Sequence, residues 1–394
     1  MREWDNKELG TISLKIGSGA TPRGGSNSYK ESGISLIRSQ NVLDFQFTTS
    51  GLAFIDQGQA NNLSNVEVLQ NDILLNITGD SVARCCIVPN FVLPARVNQH
   101  VAIIRPDAEK ADHLFVFYQL QFLKDELLMQ AEIGATRRAL TKAMVEALEI
   151  PIPPLPEQKA IAAVLSSLDD KIDLLQRQNQ TLEALAQTLF RQWFVEEAQE
   201  EWEEKPISFF GDVVCGKTPS KKIHEYFGGE IPFIKIPDMH GNTFVFETSD
   251  YLTELGKNSQ VKKTIPPRSI SVSCIATVGL VTMNAFESHT NQQINSIVPY
   301  KDGYRYFLYL MMNSLKAELI AMASGGTATL NLNTGNFSRI EIINPPEDLL
   351  IEFYTIVEPL FEKIFHNQDQ IRTLENLRDT LLPKLMSGEV RVRL

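Results

Sequence analysis

The chain has 394 residues, of which 43% are hydrophobic, enough for two or three domains with sizeable cores, and a formal net charge of −11. No apolar run approaches the ~18 residues of a membrane span, and the N-terminus MREWDNKELG lacks the apolar centre of a signal peptide. The four cysteines, Cys85, Cys86, Cys215 and Cys274, form no C-x-x-C pair and no zinc spacing with a histidine, so a cytoplasmic protein with reduced thiols and no metal is expected.

The charge is unevenly spread. Residues 1–150 carry a net −3 and 206–345 a net +1, whereas 151–205 carry −6 and 346–394 carry −3. More than half of the excess therefore sits in two stretches that read as helix, where acidic side chains form a solvated face. Charge alone neither shows nor excludes binding to DNA.

In chain order, short β-type runs come first, Ile34–Val42, Asp72–Thr78 and Val97–Ile104, broken by Gly, Asn and Ser turns. The spacing of apolar residues predicts one helix over Asp112–Ala131, followed by a Gly-rich loop at Gly134-Ala-Thr136, a last strand, and a stop at Pro153-Pro154. From Ile161 the positions Ile161, Leu165, Leu168, Ile172, Leu175, Asn179, Leu182, Ala186, Leu189 and Trp193 advance by alternating steps of four and three. This is the seam of a coiled coil, roughly 48 Å long at about 1.5 Å per residue. Such a seam needs a partner.

The chain then starts again. Thr21-Pro22 recurs as Thr218-Pro219, and Ile34-Ser-Leu-Ile-Arg38 as Ile231-Pro-Phe-Ile-Lys235, both 197 residues later. Asn98-Gln99 recurs as Asn291-Gln292 at an offset of 193, and Glu149-Ile150, Pro153-Pro154, Lys171-Ile172 and Thr181-Leu-Glu183 recur at 192. Matches in this order, with so little drift, indicate a tandem duplication. The second copy repeats the helix-like run at Asp302–Ala323, the loop at Gly325-Gly-Thr327, and the seam at Phe353, Val357, Leu360, Ile364, Asn367, Ile371, Leu374, Arg378, Leu381 and Leu385.

The architecture expected is α+β: two pseudo-repeated globular α/β domains, 1–152 and 201–344, separated by an antiparallel two-helix coiled coil from the long helices at 153–200 and 345–394. Antiparallel pairing is preferred because it sets Asn179 against Asn367, whereas parallel pairing leaves each amide among apolar neighbours. An unpartnered buried amide costs about 1–3 kcal/mol.

Motifs for chemistry fail their context. Residues 211–218, GDVVCGKT, match the phosphate-loop pattern, but Pro219 and a non-periodic stretch follow where a helix is required. The repeat keeps Gly-x-Thr-Pro and not the lysine, with Ala20 where Lys217 stands. Ile343-Asn-Pro-Pro346 resembles the N-P-P-[YF] signature of amino-methyltransferases, but Glu347 replaces the aromatic and no Gly-rich loop is present for S-adenosylmethionine. The six histidines are scattered, and no nucleophile–base pair stands out. No catalytic residue and no bound cofactor are expected.

What remains is a duplicated set of polar loop residues. Thr21, Arg23, Tyr29 and Lys30 lie opposite Lys217, Thr218, Lys221, Lys222 and Tyr226; Arg38, Gln40 and Asn41 lie opposite Lys235 and Asp238. Asn98 and Gln99 lie opposite Asn291, Gln292 and Gln293, and Thr136-Arg137-Arg138 lies opposite Thr327-Ala-Thr329. Arg, Lys, Asn and Gln read base edges, and Ser, Thr and Lys hold phosphates. Singly each is an ordinary turn residue. Together, paired sets that differ in detail on one repeated scaffold suggest two readers of two DNA sequences.

Pro151-Ile-Pro-Pro-Leu-Pro-Glu-Gln-Lys159 before the heptad helix, its echo at Ile343-Asn-Pro-Pro-Glu-Asp348, Gly-x-Thr-Pro near the start of each half, Asp72-Ile-Leu-Leu75 with Gly79, Asn98-Gln99 and Gly134-x-Thr136 resemble the specificity subunit of Type I restriction–modification enzymes over the whole chain. Pro346-Glu-Asp348 departs from the Pro-x-x-Glu-Gln pattern, and Pro232 is expected to interrupt the first strand of the second half. The resemblance implies two target recognition domains, each reading half of a split double-stranded DNA target, with the helices as spacer. It also implies two methylation subunits with S-adenosylmethionine around the helices, and restriction subunits with ATP and Mg. On this reading Leu168, Ile172, Leu175, Asn179, Leu182 and Leu189 pair with Leu360, Ile364, Asn367, Ile371, Leu374 and Leu381. The rivals are a nucleotide hydrolase built on GDVVCGKT and a coiled-coil adaptor that binds proteins only.

Overall fold

The duplication in the sequence is one strand order built twice. The computed structural model describes residues 4–132, 138–324 and 330–392. They fall into two compact units, Met1–Ile172 with Thr373–Leu394, and Asp173–Arg372.

In the first unit one antiparallel sheet has the order Ser13–Ser18, Val101–Pro106, Ile73–Asn76, Cys85–Ile87, and a second has Ala53–Ile55, Ile34–Ile37, Ala95–Val97, Glu67–Val68. Among the described residues of this unit only Ile34–Ile37 and Ala95–Val97 pair in parallel. Strand residues alternate between faces. Ile73, Leu75, Cys85, Ala102 and Ile104 pack with the helices, while Leu74, Cys86, Val101 and Ile103 pack with the second sheet. A two-stranded ribbon, Asp5–Glu8 with Glu149–Ile152, closes the unit.

The second unit keeps these orders, with one edge strand more in its first sheet and one fewer in its other among the described residues. Gly211–Cys215, Ile294–Pro299, Ile270–Ser273 and Val281–Asn284 form its first sheet, with Phe244–Val245 added at the edge. The other sheet is Asp250–Leu252, Phe227–Ile234, His289–Thr290. The strand Phe227–Ile234 runs through Pro232 instead of being interrupted there. Its parallel neighbour pairs only with Phe233 and Ile234, so the N–H that proline lacks is not needed on that side.

The central helix spans Leu155–Arg191 and the C-terminal helix Glu347–Met386, starting at equivalent positions of the repeat. In the first, Gln158 fastens the start: its Oε1 accepts from the Asp112 N–H at 2.8 Å, and its Nε2 donates to the Pro153 carbonyl at 2.9 Å. Within the second unit the two helices run antiparallel. The Trp193 and Phe353 rings are 5.8 Å apart, and Asn367 Nδ2 donates to Asn179 Oδ1 at 2.8 Å and to Gln178 Oε1 at 2.9 Å. Ile172, Leu175, Asn179, Ile364 and Asn367 are buried; Leu168, Leu182, Leu189, Leu360, Ile371, Leu374 and Leu381 are half-buried. The seam's other polar residue, Arg378, is buried in the first unit. It donates to Asp169 at 3.0 Å and stacks 3.8 Å from the Phe45 ring centre.

Four expected elements are cut shorter. The helix over Asp112–Ala131 is two helices, His113–Phe122 and Lys124–Glu132, and its counterpart is Arg305–Ser314 and Lys316–Ala323 after a short 3-10 turn. Each pair hinges on a leucine, Leu123 or Leu315, with ψ near 10° in place of the helical value. Bonds of the i to i−4 type run up to each leucine, from the Leu123 and Leu315 N–H groups to the Gln119 and Met311 carbonyls, and start again from the leucine carbonyl, which accepts from Leu127 or Leu319. The run Ile34–Val42 is strand only to Ile37, because Asn41 turns the chain back. Val97–Ile104 likewise contains a turn, Asn98–His100, between two strands.

Candidate nucleic-acid interface

The parallel strands Ile34–Ile37 and Ala95–Val97 deliver their C-terminal ends side by side, so Arg38–Asn41 and Asn98–His100 emerge together. The Asn98 N–H donates to the Ile37 carbonyl at 3.0 Å, and Asn98 Oδ1 accepts from the His100 N–H at 3.0 Å. Against this turn comes the loop after Ser13–Ser18. A Cβ on Gly19 would lie 1.7 Å from the Val97 carbonyl oxygen, so only glycine permits the approach. Two residues on, the Thr21 hydroxyl donates to Gln99 Oε1.

The second half builds the same device. A Cβ on Gly216 would lie 2.1 Å from the Asn291 carbonyl oxygen, and the Thr218 hydroxyl donates to Gln292 Oε1 at 2.6 Å. Asn291 donates its N–H to Ile234 at 3.1 Å and takes the Gln293 N–H on its Oδ1 at 3.1 Å. Gly-x-Thr-Pro and Asn-Gln, distant in sequence, are thus one interlocking structure. This explains why both motifs recur.

Of the residues singled out in the first half, Arg23, Lys30, Gln40, Gln99 and Arg138 are exposed, and Thr21, Tyr29 and Arg38 half-buried. Arg38 lies 5.5 Å from the Tyr29 ring centre and donates to the Gly51 carbonyl; Gln40 Nε2 reaches the same carbonyl at 3.3 Å. Lys30 pairs with Asp56 at 3.4 Å and Arg138 with Glu132 at 2.6 Å. Arg137, with Gly134 to Thr136, lies outside the described residues. In the second half Lys217, Lys221, Lys222 and Gln292 are exposed, and Thr218, Tyr226, Lys235 and Gln293 half-buried, Lys235 donating to Asp250 at 2.7 Å. Among the described residues Arg23, Lys217, Lys221 and Lys222 have no acidic partner, which leaves their charge available to an anionic ligand.

Three expected readers are used up by the fold. Asn41 is fully buried, its Oδ1 accepting from the Arg38 N–H at 3.0 Å and its Nδ2 donating to the Thr48 and Ser50 carbonyls at 3.0 and 3.2 Å. Asn98 and Asn291 are buried as turn formers. Sequence spacing could not separate an amide that builds a loop from one presented by it.

Two residues were missed. His100 and Thr78 meet beside Gln99, with Thr78 Oγ1 2.6 Å from His100 Nδ1 and Gln99 Nε2 3.1 Å from His100 Nε2. His100 adjoins Asn98-Gln99 in sequence, a signal that could have found it. Nothing local marks Thr78, which arrives from another strand. In the second half Ile275 and Gln293 hold these places.

The phosphate-loop alternative loses its donors. The N–H groups of Gly216 and Lys217 are bonded to the Ile294 and Thr290 carbonyls at 3.0 and 2.9 Å, and no helix opens after Thr218. Among the described residues no group of three or more His, Cys, Asp or Glu could hold a metal ion, and no helix is long and apolar enough to cross a membrane. Burial lowers His289 to about 4, between the Thr264 hydroxyl at 3.0 Å and Gln260 at 3.3 Å, so it is a neutral structural residue at pH 7.

Comparison with known proteins agrees with this organisation. The family described as the Type I restriction modification DNA specificity domain matches twice, over residues 1–184 and 199–376. The chain is 34% identical to the specificity subunit of the Type I restriction enzyme HindI of Haemophilus influenzae, covering 99% of this chain and 100% of that one. It is 26% identical to the MjaIX specificity subunit of Methanocaldococcus jannaschii, covering 99% and 94%. The crystal structure of a Type I restriction–modification S subunit from M. genitalium superposes with a TM-score of 0.62 at 16% identity, over 97% of this chain and 96% of that one, which shows a shared fold. A duplicated scaffold, a duplicated loop device and a family match falling once on each copy lead to one conclusion: this chain belongs to the family of specificity subunits of Type I restriction–modification enzymes.

Proposed function

We propose that the chain recognises a bipartite double-stranded DNA target, one half-site per repeat, and performs no catalysis itself. The observation that carries this reading is the Thr–Gln device built twice, Thr21 with Gln99 and Thr218 with Gln292, each surrounded by different exposed side chains. An identical frame with different rims is what two readers of different sequences require. Arg23, Lys217, Lys221 and Lys222 supply charge for phosphates, and Gln99 and Gln292 supply amides for base edges.

The long helices serve as the spacer and as the dock for two methylation subunits. Helices of 37 and 40 residues are about 55–60 Å long, ample for half-sites lying about 34 Å apart on one face of B-DNA. S-adenosylmethionine sits on the methylation subunits, which transfer methyl to adenine N6; ATP and Mg sit on the restriction subunits. With a net charge of −11 the chain alone binds DNA weakly, and the partners provide much of the grip on phosphates. The protein works in the cytoplasm.

Inserting one heptad in both helices tests the reading. Mapping of methylated adenines is expected to show a longer spacer with both half-sites unchanged. A changed half-site, or methylation that does not depend on this chain, refutes the assignment.

A further inference from the structure

The two copies of the Thr–Gln device are not held equally. In the first, Gln99 is gripped at both ends. Its Oε1 accepts from the Thr21 hydroxyl, and its Nε2 meets His100 Nε2 at 3.1 Å. Because an amide Nε2 can only donate, His100 Nε2 is the acceptor, the ring proton sits on Nδ1, and Nδ1 donates to the Thr78 oxygen 2.6 Å away. The result is a directed chain, Thr21 to Gln99 to His100 to Thr78, anchored at both ends on segments that follow separate strands.

In the second copy Gln292 is held at one end only. Ile275 replaces Thr78, and Gln293, in the place of His100, takes the Asn291 amide on its Oε1 at 3.0 Å. Among the described residues nothing fixes Gln292 Nε2. The Gln99 side chain remains exposed, with one N–H and one lone pair of its Oε1 unused among the described residues. A donor and an acceptor side by side on a fixed amide match adenine in the major groove, N7 accepting and N6–H donating.

We propose that Gln99 reads an adenine of the first half-site and that His100 is the positioning residue that fixes its amide, a lock the second half lacks. This rests on the DNA-recognition reading above. Holding the amide before binding removes the ordering cost that a free glutamine bears on contact.

The test uses the full chain assembled with its partner subunits, selecting from a pool of duplex DNA randomised across the target. The wild-type protein is expected to require an A·T pair at one position that Gln99→Leu relaxes by about 5- to 150-fold, the range of one bidentate contact. All other positions stay unchanged. His100→Phe, which keeps the ring shape and loses both hydrogen bonds, relaxes the same pair by about two- to tenfold. Thr78→Val, which leaves the ring in place and removes the acceptor of its Nδ1 proton, relaxes the same pair; a merely structural role for the ring would leave that pair unchanged. Equal thermal unfolding of the variants confirms intact folding. A uniform loss across all positions in Gln99→Leu, or His100→Phe and Thr78→Val selections identical to wild type, overturns this inference and leaves the DNA reading standing. A wild-type selection with no consensus overturns both.

Discussion

The two units share a strand order and differ in what lies beneath it. Where the first places Leu74 against Ile103 across two strands, the second places Ser271 against Ser296, their hydroxyls 2.9 Å apart. Leu74 and Ile103 belong to a large apolar cluster between the sheets. The equivalent cluster in the second unit is reduced to Ile234, Ile236, Met239, Val245 and Ile294, amid buried Ser271, Ser273, Thr282, Asn284, His289 and Thr290. On the helix-facing side both units stay apolar, Ile73 and Leu75 against Ile270 and Val272. The difference shows which face carries the fold. The face toward the helices must be hydrophobic, whereas the other tolerates serine as long as it finds a hydrogen bond.

Exchanging the two chemistries breaks the comparison most sharply. Leu74→Ser is expected to cost about 3–5 kcal/mol, a lost side chain plus an unpartnered hydroxyl in an apolar layer, read by denaturant unfolding. The reverse, Ser271→Leu, is expected to cost less, about 1–3 kcal/mol, from overpacking and a stranded Ser296 hydroxyl. Equal costs would mean that the two layers are not chemically distinct.

The seam gives the next effect. Asn179→Leu leaves Asn367 without its 2.8 Å partner and is expected to destabilise the protein by about 1–3 kcal/mol. Adding Asn367→Leu recovers most of that loss, because two apolar residues replace a matched pair; additive losses would show that the pair is not a unit.

A further effect depends on pH. Burial depresses His289 in the folded protein to about 4 from an ordinary 6.5. Below 6.5 the unfolded chain therefore binds a proton that the folded one refuses, so stability present above pH 6.5 is lost as the pH falls towards 4. Urea midpoints measured across that window should fall, and His289→Gln should flatten the slope. The first unit has Arg96 at this position, bonded to Glu67 at 3.2 Å, in place of the imidazole.

The helices and their pairing were legible in sequence because a heptad seam is a local, one-dimensional signal, and Asn179 and Asn367 supplied a register. The repeat was legible because offsets survive divergence. Strand order was not: Ala95–Val97 pairs in parallel with Ile34–Ile37, each residue with one 60 positions away, and no local pattern announces it.

The candidate site divided in the same way. Sequence marked Thr21, Gln99, Thr218 and Gln292 through their recurrence, and it ranked Asn41, Asn98 and Asn291 equally with them, although the fold buries all three. Residue type and spacing determined that the chain is duplicated, that long helices close each copy, and that polar loops recur on both. Which amides face outward, and that His100 and Thr78 join Gln99, only the tertiary structure decided. Hydrogen-bond direction and burial depend on strands that meet across tens of residues of chain, and a one-dimensional pattern carries no record of those meetings.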